Sequence, residues 1–208
     1  FGNLKAAAVH ERKVPDTFIY GMAPSTGKLS SQDRIVILDA IAMGINIVSG
    51  LHEYLSEDSE IAAFASKHDV TIRDIRKPKQ SKDMRLFEGS IKNVNAVRIA
   101  VLGTDCAIGK RTTATVLARA LNAKGIKTVL VGTGQTGLMQ GAKYGVAMDA
   151  VPPQFCCGEL EGAIVAASKT EQPDVILIEG QGALSHPAFC TSALILRGSQ
   201  PDAVIVQY

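Results

Sequence analysis

The chain has 208 residues, of which 46% are hydrophobic and 20% are charged, and its formal net charge is +2. This is the composition of a globular protein with one large or two small domains, and so mild a charge predicts no nucleic-acid binding, which usually needs a concentrated basic face. No apolar run approaches the roughly 18 residues that a membrane-spanning helix needs, and the first residues do not form a secretory signal.

A first α/β unit is predicted near the start of the chain, where short β-rich apolar runs alternate with helical patterns. A strand is expected over Thr17–Tyr20. Ser30 and Asp33 have the spacing of a capping box, which predicts the start of a helix, and Gly44 suits its left-handed end. The residues that repeat at helical period, and that we expect to be buried, are Ile35, Leu38 and Ala42.

The rest of this unit is predicted to contain two more strands, over residues 46–48 and 70–72, with a helix capped by Ser56 between them. Residues 76–93 then carry many basic side chains with little periodicity, which is typical of a solvated connection between domains. Contact of that basic run with a ligand phosphate is the second interpretation. We therefore expect an N-terminal domain with its linker over residues 1–90 and a second domain over residues 91–208.

The second α/β unit has a sharper pattern, with a strand over residues 97–102, a loop, and a helix over residues 110–124 that ends at Gly125. Further strands are predicted over residues 128–131, 175–178 and 203–206, and a further helix over residues 159–168. The residues expected to face inward on the two helices are Val116, Leu117, Ala120 and Leu121, and Leu160, Ile164 and Ala167. The alternation predicts an α/β fold with mainly parallel sheets. The final strand is interpreted as buried, and because such strands usually have chain beyond them, we expect a fragment.

A phosphate loop is predicted between the strand over residues 97–102 and the helix that follows it. Its residues are Gly103, Thr104, Asp105, Cys106, Ala107, Ile108, Gly109, Lys110, Arg111 and Thr112. In such a loop the backbone N–H groups curl around phosphate oxygens, the helix N-terminus adds its positive dipole end, and a lysine supplies a mobile charge. The spacing resembles the loop of dethiobiotin synthetase and related P-loop proteins. The other interpretation is a glycine-rich turn with a surface lysine, and in either case we expect Lys110 to be largely solvated.

The phosphate loop departs from the usual P-loop pattern, which has glycine where Thr104 stands and serine or threonine where Arg111 stands. The hydroxyl directly after the lysine normally binds Mg²⁺. Because arginine cannot do so, the loop is predicted to bind phosphate without a metal, and Arg111 is a candidate for a phosphate or a carboxylate. Thr112 lies one residue after Arg111 and about 100° further around the helix, so whether its hydroxyl could reach a metal ion stays open.

A candidate carboxylate, Glu179, follows the predicted strand over residues 175–178, at the edge where ligands bind in parallel α/β sheets. Gly180 and Gly182 leave room beside it, and His186 follows in the same loop. We interpret Glu179 as a site residue rather than a solvated strand end. For His186 a site role and an ordinary loop position are equally open.

Two other features receive ordinary interpretations. The glycine–lysine spacing over residues 21–28 is interpreted as a plain βα loop that lines the site rather than as a second nucleotide site. The cysteines have no CxxC spacing, which predicts reduced thiols, no zinc site and a cytoplasmic protein. They are Cys106, Cys156, Cys157 and Cys190.

Three motifs together resemble a known family. They are Gly-Thr-Asp-Cys-Ala-Ile-Gly-Lys-Arg-Thr-Thr from residue 103, Gly-Thr-Gly-Gln-Thr-Gly from residue 132, and Ile-Glu-Gly-Gln-Gly-Ala-Leu-Ser-His-Pro from residue 178. They are similar to the C-terminal P-loop domain of the D-glutamate N-acetyltransferase-like family. Residues 47–56 and 74–78 resemble the N-terminal Rossmann-like domain of that family. The resemblance covers almost the whole chain, and family proteins are longer at both ends, in agreement with the expected fragment.

The resemblance implies transfer of an acetyl group from acetyl-CoA, bound by the phosphate loop, to the amine of an acidic amino acid such as D-glutamate. An ammonium group must lose a proton before it attacks a thioester, so a base is needed, with Glu179 the first choice and His186 the second. The residues assigned to the substrate are Arg111, Gly134, Gln135, Gly180, Gln181, Gly182 and Arg197. Among them, Arg111 or Arg197 would bind a carboxylate, and the backbone of residues 180–182 would stabilise the thioester oxyanion.

Two other functions stay open at this point. One is an ATP-dependent kinase or ligase resembling dethiobiotin synthetase, in which Lys110 would bind the phosphates and Thr112 and Glu179 would bind Mg²⁺. No metal site is expected outside this alternative. The other is a non-catalytic nucleotide-binding regulator, since the fold alone does not decide whether the protein is an enzyme. We expect a small-molecule substrate, no nucleic-acid or membrane partner, and a homo-oligomer.

Overall fold

The computed structural model describes residues 3–22, 24 and 26–208, and the chain divides into two compact units, residues 1–77 and 78–208. Each unit contains one β-sheet, and both sheets are built from parallel strand pairs. The predicted α/β class with mainly parallel sheets is therefore confirmed. A parallel sheet collects the loops that follow its strands at one edge, which is where ligand sites form.

The N-terminal unit is a three-stranded sheet with the strand order β1-β2-β3. Its elements are helix α1 (Leu4–Glu11), strand β1 (Thr17–Tyr20), helix α2 (Ser31–Ala42), strand β2 (Asn46–Ser49), a 3₁₀ helix (Leu55–Glu57), helix α3 (Ser59–Lys67) and strand β3 (Ile72–Asp74). The strand expected over residues 70–72 thus begins later than predicted and continues to Asp74.

Helix α2 begins where the capping box predicts but buries a different face. The hydroxyl oxygen of Ser30 accepts the N–H of Asp33 at 3.1 Å, and Gly44, just beyond the helix, has a φ of +72°. The predicted inward face is right only for Leu38, which is partly buried against the core; Ile35 is 61% exposed and Ala42 is also exposed. The residues that the helix buries completely are Ile37, Ala40 and Ile41. Apolar residues stand at four consecutive positions here, so the helical period alone does not select the face.

Helix α3 is capped by Asp58, and the predicted cap at Ser56 is wrong. A carboxylate oxygen of Asp58 accepts the N–H of Ile61 at 2.9 Å. The guanidinium of Arg34 donates to both oxygens of the same carboxylate, at 2.7 and 2.9 Å, and this pairing lowers the pKa of Asp58 to about 2. Ser56 lies in the preceding 3₁₀ helix, where its backbone N–H donates to Asp74.

The C-terminal unit is a five-stranded sheet with the strand order β6-β5-β7-β4-β8. Its main elements are strand β4 (Val97–Gly103), helix α4 (Lys110–Ala123), strand β5 (Thr128–Gly132), helix α5 (Gln135–Met139), strand β6 (Tyr144–Gly145), helix α6 (Pro153–Glu171), strand β7 (Val175–Glu179), helix α7 (Thr191–Ser199) and strand β8 (Ala203–Gln207). Three 3₁₀ helices cover Ser81–Asp83, Ser90–Asn93 and Met148–Ala150. Across the described part of the chain, no helix combines the length and the apolar character needed to cross a bilayer.

The predicted core of this unit is right for one helix and wrong for two other elements. Leu160, Ile164 and Ala167 of α6 are fully buried as expected. On α4, however, Val116 is 59% exposed, and the apolar side chain that is fully buried is Ala114. Strand β8 was expected to be buried, but most of its residues are exposed because it lies at the margin of the sheet and pairs with β4 alone.

The segment over residues 76–93 is largely exposed, as its basic side chains predict, but it also packs against α6 in the C-terminal unit. Glu161 is almost fully buried, and its two carboxylate oxygens accept the backbone N–H groups of Glu88 at 2.8 Å and Ile91 at 3.0 Å. Glu159 forms an ion pair with Lys79 at 2.8 Å. These buried carboxylates satisfy the backbone donors of the segment, so the boundary between the units falls at the start of the segment rather than after residue 90.

Candidate active site

The strand order of the C-terminal sheet brings three loops together at its carboxyl edge. Strand β7 lies between β4 and β5, so the loops that follow these three strands border one another. They enclose a cleft of about 490 Å³. The cleft is lined by Cys106, Ala107, Gly109, Lys110, Arg111, Thr112, Gly134, Gln135, Thr136, Glu179, Gly180, Gln181 and Gly182. Most residues predicted for the site therefore do meet in one place.

The phosphate loop connects β4 to α4 with a backbone that only small residues permit. A Cβ atom at Gly103 would lie 2.6 Å from Cδ1 of Ile108 and 2.9 Å from the carbonyl oxygen of Gln207. Gly109 has a φ of +97° and Ala107 a φ of +55°, in the left-handed region. This path turns the loop tightly into the helix N-terminus, which is the arrangement that suits a phosphate group.

The side chain of Lys110 is folded back over its own loop rather than solvated as predicted. It is only 6% exposed, and its ammonium group donates a hydrogen bond to the carbonyl oxygen of Asp105. Burial lowers the pKa of Lys110, and the neighbouring Cys106, Asp105 and Glu179 oppose that effect. The ammonium group is therefore held over the loop at the N-terminus of α4.

Arg111 fills the position that a Mg²⁺-binding hydroxyl takes in other P-loop proteins. Its guanidinium donates to the side-chain oxygen of Gln140 and lines the cleft. Thr112 also lines the cleft and is exposed. The site thus presents two cationic side chains, Lys110 and Arg111, to an anionic ligand, and it has a hydroxyl one residue further along.

Glu179 is a buried carboxylate at the end of β7, with 4% of its surface exposed. Its Oε2 accepts the backbone N–H of Thr133 at 3.1 Å, and the hydroxyl of Thr133 donates to the backbone oxygen of Glu179 at 2.8 Å. Burial raises the pKa of Glu179, although the N–H groups of Thr133 and Gly134 and the charges of Arg111 and Lys110 act in the opposite direction. A carboxyl group with a raised pKa beside a cleft is suited to accepting a proton.

Helix α5 approaches this carboxylate so closely that only glycine fits at residue 137. A Cβ atom at Gly137 would collide with Oε2 of Glu179 and would lie 3.1 Å from its Cδ. Neither Gly137 nor Thr133 was predicted as a site residue, although both belong to a motif that carries the family resemblance. The Gly-Thr-Gly-Gln-Thr-Gly run after β5 is the signal that could have indicated both, since a glycine-rich loop at a strand end permits close backbone approach.

The loop after β7 is fixed by hydrogen bonds from α7. The carbonyl oxygen of Gln181 accepts the hydroxyl of Thr191 at 3.0 Å and the hydroxyl of Ser192 at 2.8 Å. The backbone N–H of Leu184 donates to the carbonyl oxygen of Gly103 at 2.9 Å, which joins this loop to the start of the phosphate loop. The backbone of residues 180–182 is therefore held in place along one wall of the cleft.

Six residues predicted for the site do not line the cleft, namely Gly103, Thr104, Asp105 and Ile108 of the phosphate loop, His186 and Arg197. His186 is exposed; its ring packs on Phe189 with 5.1 Å between ring centroids, and its Nδ1 accepts the N–H of Ala188 at 3.2 Å. Arg197 is exposed in the last turn of α7, where its charge acts on the thiol of Cys157. The structure therefore brings Glu179 and Arg111 to the cleft, but not His186, the second choice of base, or Arg197, the other arginine predicted for a carboxylate.

The glycine–lysine loop over residues 21–28 lies in the N-terminal unit, and residues 23 and 25 fall outside the described part of the chain. Gly27 has a φ of +69° and packs against the ring of His52. The backbone N–H of Leu29 donates to the carboxylate of Glu53 at 3.0 Å. These contacts are those of an ordered turn, and the interpretation of this loop as a plain βα connection stays a prediction.

Comparison with known proteins gives two family matches that together cover nearly all of the chain. Residues 85–208 match a family described as a domain of unknown function, the DUF1611 C-terminal P-loop domain. Residues 2–78 match its companion, the DUF1611 N-terminal Rossmann-like domain. The expected order of a Rossmann-like and a P-loop domain is therefore confirmed.

Two relatives and a solved structure are also similar to this chain. Proteins named D-glutamate N-acetyltransferase from Pseudoalteromonas and Tritonibacter scottomollicae are 37% and 34% identical over 191 and 192 residues, and each match covers 91% of this chain. The chain spans only 55% of the length of either relative. A crystal structure of a DUF1611 family protein from Anabaena variabilis has a TM-score of 0.87 and 31% identity, and the match covers 99% of this chain and 57% of that one.

Proposed function

The chain belongs to the DUF1611 family, and from that premise we propose that the protein transfers the acetyl group of acetyl-CoA to the amine of an acidic amino acid, D-glutamate. The observation that carries the proposal is the meeting of the phosphate loop with the buried carboxylate of Glu179 in one cleft. The names of the relatives at 34% to 37% identity support the same reaction.

Acetyl-CoA suits this phosphate loop because it brings phosphate groups that need no metal ion to be bound. Gly103 and Gly109 let the loop pack closely against Ile108 and Gln207 as it turns into the helix N-terminus, where backbone N–H groups suit an oxygen-rich group. Lys110 is already poised over the loop, and a phosphate that displaces its bond to Asp105 would receive a charge-assisted hydrogen bond. Arg111 stands where a metal-binding hydroxyl would be expected, so the loop lacks the usual metal ligand at this position.

Glu179 is assigned the role of general base. An amino acid arrives with a protonated amine, and Glu179 removes that proton so that the nitrogen attacks the thioester carbon. The new carbon–nitrogen bond replaces the carbon–sulfur bond, and CoA leaves as a thiolate that takes up a proton. Because burial raises the pKa of Glu179, its affinity for a proton is greater than that of an ordinary glutamate.

The other residues of the cleft position the reactants. The backbone of residues 180–182, fixed by Thr191 and Ser192, faces the negative charge that develops on the thioester oxygen. Arg111 is assigned to a substrate carboxylate, since Arg197 does not line the cleft. A guanidinium binds a carboxylate through two parallel hydrogen bonds, which favours an acidic or α-carboxylate substrate over a neutral amine.

The proposal is tested by Glu179→Gln, with His186→Asn as the matched control. Glutamine keeps the size of the side chain and an oxygen for the N–H of Thr133, but it takes no proton. We expect wild-type affinity for acetyl-CoA and a loss of kcat of about 10²–10⁴-fold in Glu179→Gln, and nearly full activity in His186→Asn. The wild-type rate should also rise with pH through an ionisation above the ordinary glutamate range, because the protonated acid is inactive.

Two results would contradict the assignment of the base. Full activity of Glu179→Gln together with an inactive His186→Asn would transfer the role to the histidine. Full activity of both variants would place the base outside this cleft. Loss of acetyl-CoA binding in Glu179→Gln would instead indicate a carboxylate that maintains the shape of the site, since its oxygen also holds the loop after β5.

A further inference from the structure

A second cavity lies beside the cleft in the same unit, between α4, β5 and the segment from α5 to β6. Its volume is about 580 Å³. It is lined by Thr115, Arg119, Val129, Leu130, Gly137, Gln140, Gly141, Ala142, Lys143, Tyr144 and Glu171. None of these residues is assigned a contact with the phosphate groups, the amino acid or the thioester in the proposed reaction, so the cavity needs an explanation of its own.

The second cavity is separated from the cleft by a wall that is one residue thick. Gly137 lines the second cavity, while its other side faces Oε2 of Glu179, which lines the cleft. Gln140 also lines the second cavity, and it accepts the hydrogen bond of Arg111 from the cleft. The two cavities therefore adjoin at Gly137 and at the hydrogen bond between Arg111 and Gln140, and a ligand that reaches from one cavity into the other has to pass this hydrogen bond.

A row of side chains on α4 runs from the cleft to the second cavity. Arg111, Thr115 and Arg119 are each one turn apart, so they share one face of the helix and span about 12 Å. The hydroxyl of Thr115 donates to the carbonyl oxygen of Arg111 at 2.9 Å, which leaves the guanidinium groups as the outward polar groups of the row. Cations thus stand at both ends of this path.

Arg119 supplies unneutralised positive charge to the second cavity. Within residues 3–22, 24 and 26–208 it has no ion-pair or hydrogen-bond partner. The one carboxylate in the lining, Glu171, is already engaged by Lys143 at 2.6 Å and by the hydroxyl of Tyr144 at 2.9 Å. The cavity therefore combines an unpaired guanidinium with the apolar surface of Leu130 and other lining residues. This combination suits a ligand group that carries both a negative charge and a ring.

We propose that the second cavity binds the 3′-phosphorylated adenosine end of acetyl-CoA, with Arg119 contacting the 3′-phosphate while the phosphate loop binds the diphosphate. This inference rests on the proposed function. The pantetheine arm is uncharged and would gain nothing from Arg119, and its thioester has to reach Glu179 in the cleft. The ribose 3′-phosphate is absent from ATP, so this cavity also distinguishes the proposed cofactor from the nucleotide of a kinase.

The test compares CoA with dephospho-CoA, which lacks only the 3′-phosphate, by titration calorimetry. We expect wild-type protein to bind CoA about 10- to 100-fold more tightly than dephospho-CoA. Arg119→Ala should reduce the affinity for CoA to the level of dephospho-CoA. Lys169→Ala removes an exposed cation on α6 outside both cavities and should keep the preference.

Equal affinity of the wild type for the two ligands would overturn the inference and leave the proposed function standing. A preference that survives in Arg119→Ala would place the 3′-phosphate elsewhere and would also overturn it. If wild-type protein binds neither ligand, the proposed function fails together with this inference. A normal melting temperature of Arg119→Ala, which is expected for an exposed and unpaired side chain, ensures that a loss of affinity reports on binding.

Discussion

Replacing Gly137 by alanine should impair Glu179 as a general base while leaving its carboxyl group chemically unchanged. The added methyl group would collide with Oε2 of Glu179, so the carboxylate must retreat by about 1 Å in a close-packed interior. That movement breaks the 3.1 Å hydrogen bond from the N–H of Thr133, and a bond to a charged group is worth about 1.5–3 kcal/mol. A catalytic group displaced by about 1 Å typically loses about 10²-fold in rate.

The assay measures kcat, the affinity for CoA and the melting temperature of Gly137→Ala. We expect kcat to fall about 10²-fold, and the overpacked site to cost about 1–3 kcal/mol of stability. Gly21→Ala is the control, since a Cβ atom there meets nothing within 4 Å, and its kcat should be unchanged. A folded Gly137→Ala protein with wild-type kcat would refute the reasoning, because the carboxylate could then move freely without consequence for the reaction.

Two further substitutions test the phosphate loop and the packing of the unit. Lys110→Ala should weaken CoA binding about 10- to 100-fold, because a charge-assisted phosphate contact is lost, and unchanged affinity would contradict a phosphate role for the loop. Glu161→Ala should destabilise the protein by about 2–5 kcal/mol, because the backbone N–H groups of Glu88 and Ile91 lose the buried carboxylate that accepts them. Urea unfolding measures the second effect, and a change below about 1 kcal/mol would show that the segment before β4 does not depend on this carboxylate.

Much of the fold could be predicted because local patterns decide it. The capping box at Ser30 and the run of buried apolar residues before Glu179 are complete signals within a few residues. The inward face of α2 could not be predicted, since apolar residues stand at consecutive positions and packing makes the choice. The packing of the basic segment on α6 could not be predicted for a related reason: the acceptors for its N–H groups are Glu159 and Glu161, about 70 residues further along the chain.

The candidate site likewise combines features that the local sequence predicts with features that it does not. Strand ends and glycine spacing indicated the phosphate loop and Glu179, because those features lie in short stretches of sequence. The hydrogen-bond partner of the Glu179 side chain comes from the loop after β5, and the second cavity is lined by residues of both α4 and α6. Such contacts depend on the order of strands in the sheet, which periodicity does not reveal. His186 follows Glu179 closely in sequence, yet it lies outside the cleft, so nearness along the chain was a poor guide here.

The central claim is tested most directly by mixing the protein with acetyl-CoA and D-glutamate in EDTA and following the release of CoA thiol. The account predicts thiol release that requires the amino acid, forms N-acetylglutamate and is unaffected by the chelator, since Arg111 stands where a metal-binding hydroxyl would be. Acetyl-CoA binding without turnover would favour a nucleotide-binding regulator. No thiol release, together with ATP turnover that appears only with Mg²⁺, would contradict the account and favour the kinase or ligase.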